Sequence, residues 1–194
     1  MRTNVYRSFL MMALVAIVAM PMLQSCKSSK PASKPDGEEL ITMYCSGPEY
    51  FSDSEYFRAS NVGESQGQSM AKKKAMSNAR LDLAAAIETR VKAVIDNYFS
   101  SYTTGDAIQD AERYEGLSRE VINQELSGIR TICEQFTKTK DGTYKAYVAI
   151  ELAGEEILNG MQKRISDDEK LKIDFQYEKF KKEFEKEMDN FKNQ

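Results

Sequence analysis

Residues 65–100 read SQGQSMAKKKAMSNARLDLAAAIETRVKAVIDNYFS, and this stretch decides the architecture. Met76, Ala79, Leu83, Ile87, Val91, Val94 and Tyr98 recur at intervals of three and four, which is one apolar stripe along a helix. Ser65 followed by Gln68 has the pattern of a capping box, so the helix is expected to open with Ser65 as its N-cap and to run to about Ser100. Ala71, Ala75 and Ala79 lie one turn apart on its first half. Side chains that small let a helix backbone sit close to whatever it covers, most simply a sheet.

Working outward, strand patterns flank the helix on both sides. Leu40 to Cys45 (LITMYC) is a short β-prone stretch ended by Ser46-Gly47-Pro48. Tyr56 to Val62 is a second, with Tyr56, Arg58, Ser60 and Val62 on one face and Phe57, Ala59 and Asn61 on the other. Past a break at residues 100–105, a second helix is expected from about Asp106 to Leu126. Ile108, Ala111, Tyr114, Leu117, Val121, Ile122 and Leu126 form its inner side, and Gly128 is its stop. Two strands follow, Ile129 to Thr139 and Tyr144 to Leu152. Lys140-Asp141-Gly142-Thr143 joins them, and Asp-Gly is a strong hairpin signal. A helix over residues 154–165 and a charged amphipathic tail complete the order. The expected class is α+β: an antiparallel sheet covered by the long Ala-stepped helix, with a C-terminal amphipathic helix.

The start of the chain has a separate logic. Arg2 and Arg7 precede fifteen uncharged, mostly apolar residues from Phe9 to Leu23. In a helix these rise only ~22 Å, against a hydrocarbon core of ~30 Å, which suits a signal-peptide core better than a span. The run ends in Leu23-Gln24-Ser25-Cys26, which resembles a lipobox. Residues 1–25 are therefore expected to be a lipoprotein signal peptide and Cys26 the lipidated residue. Stable anchoring takes two or more acyl chains, which such processing supplies. Residues 27–38 (KSSKPASKPDGE) carry no large apolar side chain and read as a flexible tether, so 26–38 forms the anchor and spacer. Residues 39–165 then form the α+β domain, and 166–194 the amphipathic tail. The tether has no acidic run directly after the cysteine, which favours a protein facing the periplasm, on the outer membrane.

Composition narrows the function. The chain has 27 basic and 30 acidic residues and no histidine. Without Arg2 and Arg7 the mature form is more acidic still, a poor partner for nucleic acid. Missing histidine removes the usual general base, the Ser-His and Cys-His pairs and the commonest transition-metal ligand. No catalytic residue, metal ligand or cofactor site is assigned. A carboxylate-based hydrolase of envelope glycans remains the enzymatic alternative. Gly63-Glu-Ser-Gln-Gly67 before Lys72, Lys73 and Lys74 fits no phosphate-loop spacing and reads as a strand-to-helix turn. After Cys26, two cysteines remain, Cys45 and Cys133. They either pair, which an exported protein permits, or sit as two small buried apolar side chains; the sequence leaves both open.

Three segments together carry a family likeness. They are Phe57-Arg-Ala-Ser-Asn-Val-Gly-Glu-Ser65, the helix Ala71-x-x-x-Ala75-x-x-x-Ala79-Arg-x-x-Leu83-Ala84, and the hairpin Asp141-Gly-Thr-Tyr144-Lys-Ala-Tyr147-Val-Ala-Ile150. The chain over residues 55–152 resembles the LPP-twenty (Helicobacter-antigen-type) family of bacterial envelope lipoproteins. Asn61 stands where a Gly is frequent in that family. The resemblance implies a small helix-on-sheet domain of the kind found in assembling envelope lipoproteins, with no catalytic residues.

The expected function is thus a non-catalytic, membrane-anchored structural or assembly module. Its partners would be the membrane through lipidated Cys26 and either further copies of itself or another envelope protein. The alternative is a periplasmic carrier of a lipid or small apolar ligand, which would need an apolar cavity of several hundred Å³. For assembly, aromatic strand residues Tyr56, Phe57, Tyr144 and Tyr147 offer one surface. The tail offers another: Ile173, Tyr177, Phe180, Phe184, Met188 and Phe191 follow at four, three, four, four and three, one continuous stripe. That stripe is expected to serve an interface, with Tyr177, Phe180, Phe184, Met188 and Phe191 as its contacts. The competing destinations are the chain's own core and a membrane surface, the latter disfavoured because the polar face carries no excess of Lys and Arg.

Overall fold

The computed structural model describes residues 37, 39, 41–100 and 107–193. The expected leader, Cys26, almost all of the tether and the break after Ser100 lie outside the described residues. A compact unit spans Thr42–Gln194. Its elements are β1 (Tyr56–Ser65), α1 (Gln68–Phe99), α2 (Ala107–Glu125), β2 (Arg130–Lys138), β3 (Tyr144–Ala153), α3 (Gly154–Asp167) and α4 (Tyr177–Asp189). Among the described residues, no helix is long and apolar enough to cross a membrane.

The three strands form one antiparallel sheet in the order β1-β3-β2. The Asp141-Gly142 turn closes the β2–β3 hairpin, with Gly142 at a φ of 92°, where a side chain would be strained. Thr139 and Thr143 lock its base: the Thr139 N–H donates to the Thr143 carbonyl at 2.8 Å. One sheet face carries Phe57, Ala146, Val148, Ile150 and Leu152, all buried against the helical layer. There α1 meets the sheet. Its stripe is buried throughout except Met76, which is half-exposed. The close approach expected of Ala71 and Ala75 is real and is shared by Gly63. A Cβ on Gly63 would lie 2.3 Å from the Ala71 carbonyl oxygen and 2.4 Å from the Ala75 nitrogen.

Three local expectations change. Residues 41–45 form no strand; the chain turns there, with Cys45 at a φ of 56° and the Ser46 hydroxyl donating to the Met43 carbonyl at 2.9 Å. The capping box does not form. Ser65 stays in the ladder opposite Tyr144, Gly67 is the N-cap of α1, and no side chain caps it. Strand pairing wins over local capping, and Gln66 instead donates to the Thr143 hydroxyl at 3.1 Å. Ile108 is 73% exposed, outside the core that takes Tyr114, Val121 and Ile122 of the same helix.

The tail is the largest change. It is not one helix from Ser166: a 3-10 turn at Leu171–Ile173 precedes α4, and Ile173 points to solvent. The Asp168 carboxylate breaks the run. It accepts from the N–H groups of Lys170 and Leu171 at 3.0 and 3.1 Å and pairs with Arg113 of α2. Beyond it, the stripe folds back onto its own domain. Phe180, Phe184 and Met188 are buried in the core, with Tyr177 and Phe191 packed against it. The Tyr98 hydroxyl of α1 accepts from the Gln176 N–H at 2.9 Å, just where α4 begins. Buried Glu187 takes hydrogen bonds from Asn97 and Arg90, and the Arg90 guanidinium lies 4.2 Å from the centre of the Phe191 ring. The reading of Tyr177, Phe180, Phe184, Met188 and Phe191 as a free interface is therefore corrected: these side chains already have an apolar destination inside the chain.

Candidate interaction site

With the tail stripe occupied, the surfaces left for a partner are the second sheet face, the two sheet edges and the grooves between helices. The second face holds Tyr56, Arg58, Tyr147, Ala149, Glu151, Arg130 and Cys133 by strand alternation and register. It is not open. The chain over residues 44–53 crosses it, stapled by the Cys45–Cys133 disulfide, which settles the choice the sequence left open. Tyr44 packs edge-on against Tyr147 with ring centres 5.4 Å apart.

Beside the staple lies a row of charges that spans all three strands. Arg58, Glu151 and Arg130 stand directly opposite one another in the register. Arg58 Nε donates to Glu151 at 3.0 Å, and Arg130 Nε donates to its other oxygen at 2.9 Å. Arg58 Nη1 also reaches the Phe51 carbonyl at 2.9 Å and Asp53 at 2.5 Å. Glu151 is buried, and burial pushes its carboxyl pKa up. The hydrogen bonds and charges of Arg130 and Arg58 outweigh that and hold it below the ordinary carboxylate value. Asp53 is likewise held low: its partial burial is outweighed by the N–H groups of Glu55 and Tyr56 and by Arg58. The two buried carboxylates of the described domain, Glu151 and Glu187, are thus each ion-paired with arginine. Among the described residues, no group of three or more His, Cys, Asp or Glu side chains could hold a metal ion.

The grooves between helices are open to solvent. One of about 640 Å³ lies between α1 and α2, floored by Met76, Leu81, Ala84 and Leu126 and rimmed by Lys72 and Arg80. Another, of about 540 Å³, lies between β1, α3 and α4.

The two sheet edges differ. On β1 the even-numbered residues turn their backbone groups outward, and the chain itself covers most of them. Ser52 bonds both the N–H and the carbonyl of Arg58, at 2.8 and 3.1 Å. The Asp53 carboxylate takes the Tyr56 N–H, and the Asp53 N–H donates to the Tyr56 carbonyl. The Asn61 side chain takes the Val62 N–H, and Lys74 donates to the Glu64 carbonyl. These devices blunt an edge.

On β2 nothing comparable exists among the described residues. Odd-numbered β1 residues pair with even-numbered β3 residues, so the odd-numbered residues of β3 face β2. Their partners there are Arg130, Cys133, Gln135 and Thr137, with a bulge between Thr131 and Cys133. The backbone groups of Glu134, Phe136 and Lys138 consequently point away from the sheet. Glu134 and Phe136 are half-buried and Lys138 is exposed.

Periodicity found the strands but not this asymmetry. What caps β1 is a loop, residues 51–53, whose approach no spacing announces. The Arg58–Glu151–Arg130 row was also missed: alternation places each residue on a face, but only the register sets them side by side. No protein-family model, no curated protein and no solved structure matches this chain.

Proposed function

We propose that the chain is a lipid-anchored envelope lipoprotein, held by Cys26 to the outer membrane on its periplasmic side, whose domain is a non-catalytic assembly module. The LPP-twenty resemblance points the same way. The observation that carries the assembly reading is the open β2 edge on a domain whose other β-edge is covered by its own loop. A long, uncovered edge invites pairing with another chain, and proteins that need no such pairing usually blunt it. The Cys45–Cys133 disulfide supports an oxidising compartment. The ion-pairing of both buried carboxylates supports a non-catalytic role, since a general acid needs a raised pKa and Glu151 has a lowered one.

Two measurements on the native cell test the reading. Labelling with a palmitate analogue is expected to mark the wild type and not Cys26→Ala; a labelled, membrane-bound Cys26→Ala protein removes the anchor. Photo-crosslinking from Gln135→p-benzoylphenylalanine on β2 is expected to give a discrete adduct. The same probe at Thr89, an exposed position on α1, should give none. Equal background at both positions removes the assembly role.

A further inference from the structure

We infer that the β2 edge pairs with the β2 edge of a second copy, in antiparallel register with Phe136 opposite Phe136 on the two-fold axis. The inference rests on the assembly reading and names its partner. Three observations carry it. The outward backbone groups of Glu134, Phe136 and Lys138 have no partner among the described residues, whereas most of those on β1 do. Their side chains share the face of the sheet that α1 covers: Glu134 pairs with Lys72 of α1 at 2.6 Å, and Phe136 packs against the core. Finally, the charges along the strand are self-complementary in one register.

With the axis at Phe136, Glu134 of each copy stands opposite Lys138 of the other, and the ion pair occurs twice. The outward-facing residues exchange their backbone hydrogen bonds, as the hydrogen-bonded pairs of an antiparallel ladder do. Phe136 meets its own copy at the centre, and aromatic cross-strand pairs are among the favourable ones. The other two registers centred on an outward-facing residue of β2 fail on charge. An axis at Glu134 sets carboxylate against carboxylate and Arg130 against Lys138. An axis at Lys138 sets ammonium against ammonium. A two-fold perpendicular to the sheet keeps both α1 helices on one side, so the two sheets merge into one continuous sheet. The contact is isologous and closed, leaving the blunted β1 strands as the outer edges.

Charge exchange at the paired positions is the test. The full-length protein, solubilised in a density-matched detergent, is followed by sedimentation equilibrium with a thermal melt of each variant alongside. The wild type is expected to be a dimer. Glu134→Lys and Lys138→Glu each turn both ion pairs into like-charge pairs and should raise the dimer Kd roughly three- to thirtyfold. The double variant Glu134→Lys with Lys138→Glu restores opposite charges and should return to within about threefold of wild type. A merely destabilising effect would be additive in the double variant and visible in the melts. As a second readout, the amides of Glu134, Phe136 and Lys138 should exchange hydrogen more slowly at concentrations where the dimer forms.

A strict monomer at high micromolar concentration overturns the inference. So does a dimer indifferent to both reversals, or one that the double variant fails to restore. If the crosslinked adduct from β2 in cells proves to be another envelope protein, the second-copy inference falls while the assembly reading stands. If β2 gives no adduct, both fall.

Discussion

At the residue scale, Gly63 shows how a sequence of small side chains becomes a layered structure. The strand and helix meet so closely that the space for a Cβ is already filled by backbone of α1. Backbone has no rotamer with which to yield, so any side chain at 63 must push helix and strand apart. Gly63→Ala is expected to destabilise the domain by ~3 kcal/mol, the upper part of the range for overpacking, measured by chemical denaturation. Ala at Gly67, the exposed N-cap of α1 where a Cβ meets open space, is the control and should cost much less. A result within 1 kcal/mol of wild type at position 63 would mean that β1 and α1 separate at little cost. The alanine spacing pointed to this contact from the sequence; the identity of its partner, the glycine at the strand end, was not legible, because spacing along a helix does not name the residue opposite. Cys45 was legible in the opposite sense. Its neighbours are β-prone, yet the residue sits in a left-handed turn, because the disulfide partner lies on the far strand of the sheet.

At the element scale, the row Arg58–Glu151–Arg130 ties the three strands and residues 51–53 together, and it makes stability depend on pH. Glu151 has a folded pKa below its ordinary value of 4.5. Its contribution is therefore fully present above about pH 4.5 and is lost as pH falls through the depressed value. Glu151→Gln should show a flatter decline of unfolding free energy between about pH 5 and 2 than the wild type. Arg58→Met, which strands a buried carboxylate beside one remaining arginine, should cost ~3 kcal/mol at pH 7. Identical pH slopes for wild type and Glu151→Gln would show that the row does not hold the carboxylate low. Helices and strands were legible here because each has a period: the three- and four-residue stripe of α1 and the alternation of β3 are local. The row was not, because charge pairing across strands is set by register, and register is set by where the hairpin turns and where β2 bulges.

At the scale of the whole molecule, the tail decides whether the domain is complete. Its stripe was plain in the sequence, but a stripe states only that an apolar face must be covered, not by what. The aromatic residues answer it. Phe180 stands 5.6 Å from Tyr98, 6.1 Å from Tyr114 and 5.8 Å from Phe175, ring centre to ring centre, so α1, α2 and the tail share one cluster. Phe191 meets Phe57 of β1 edge-on at 5.7 Å, which ties the helical turn after α4 to β1. Burial of Phe180, Phe184 and Met188 contributes ~2 kcal/mol each, several kcal/mol in all. A domain of this size is stable by only ~5–15 kcal/mol in total. Truncation after Ile165 removes those side chains, the Glu187 contacts to Arg90 and Asn97, and the Gln176 N–H that Tyr98 accepts. The shortened protein is expected to lose its cooperative thermal transition, or to melt tens of degrees lower, and to expose apolar surface to a dye such as ANS. Tyr98→Phe alone, which removes one hydrogen bond and keeps the ring, should lower stability by only ~1 kcal/mol. A truncated protein that melts like the full chain but no longer associates would return the tail to the surface and make its stripe the contact in place of β2.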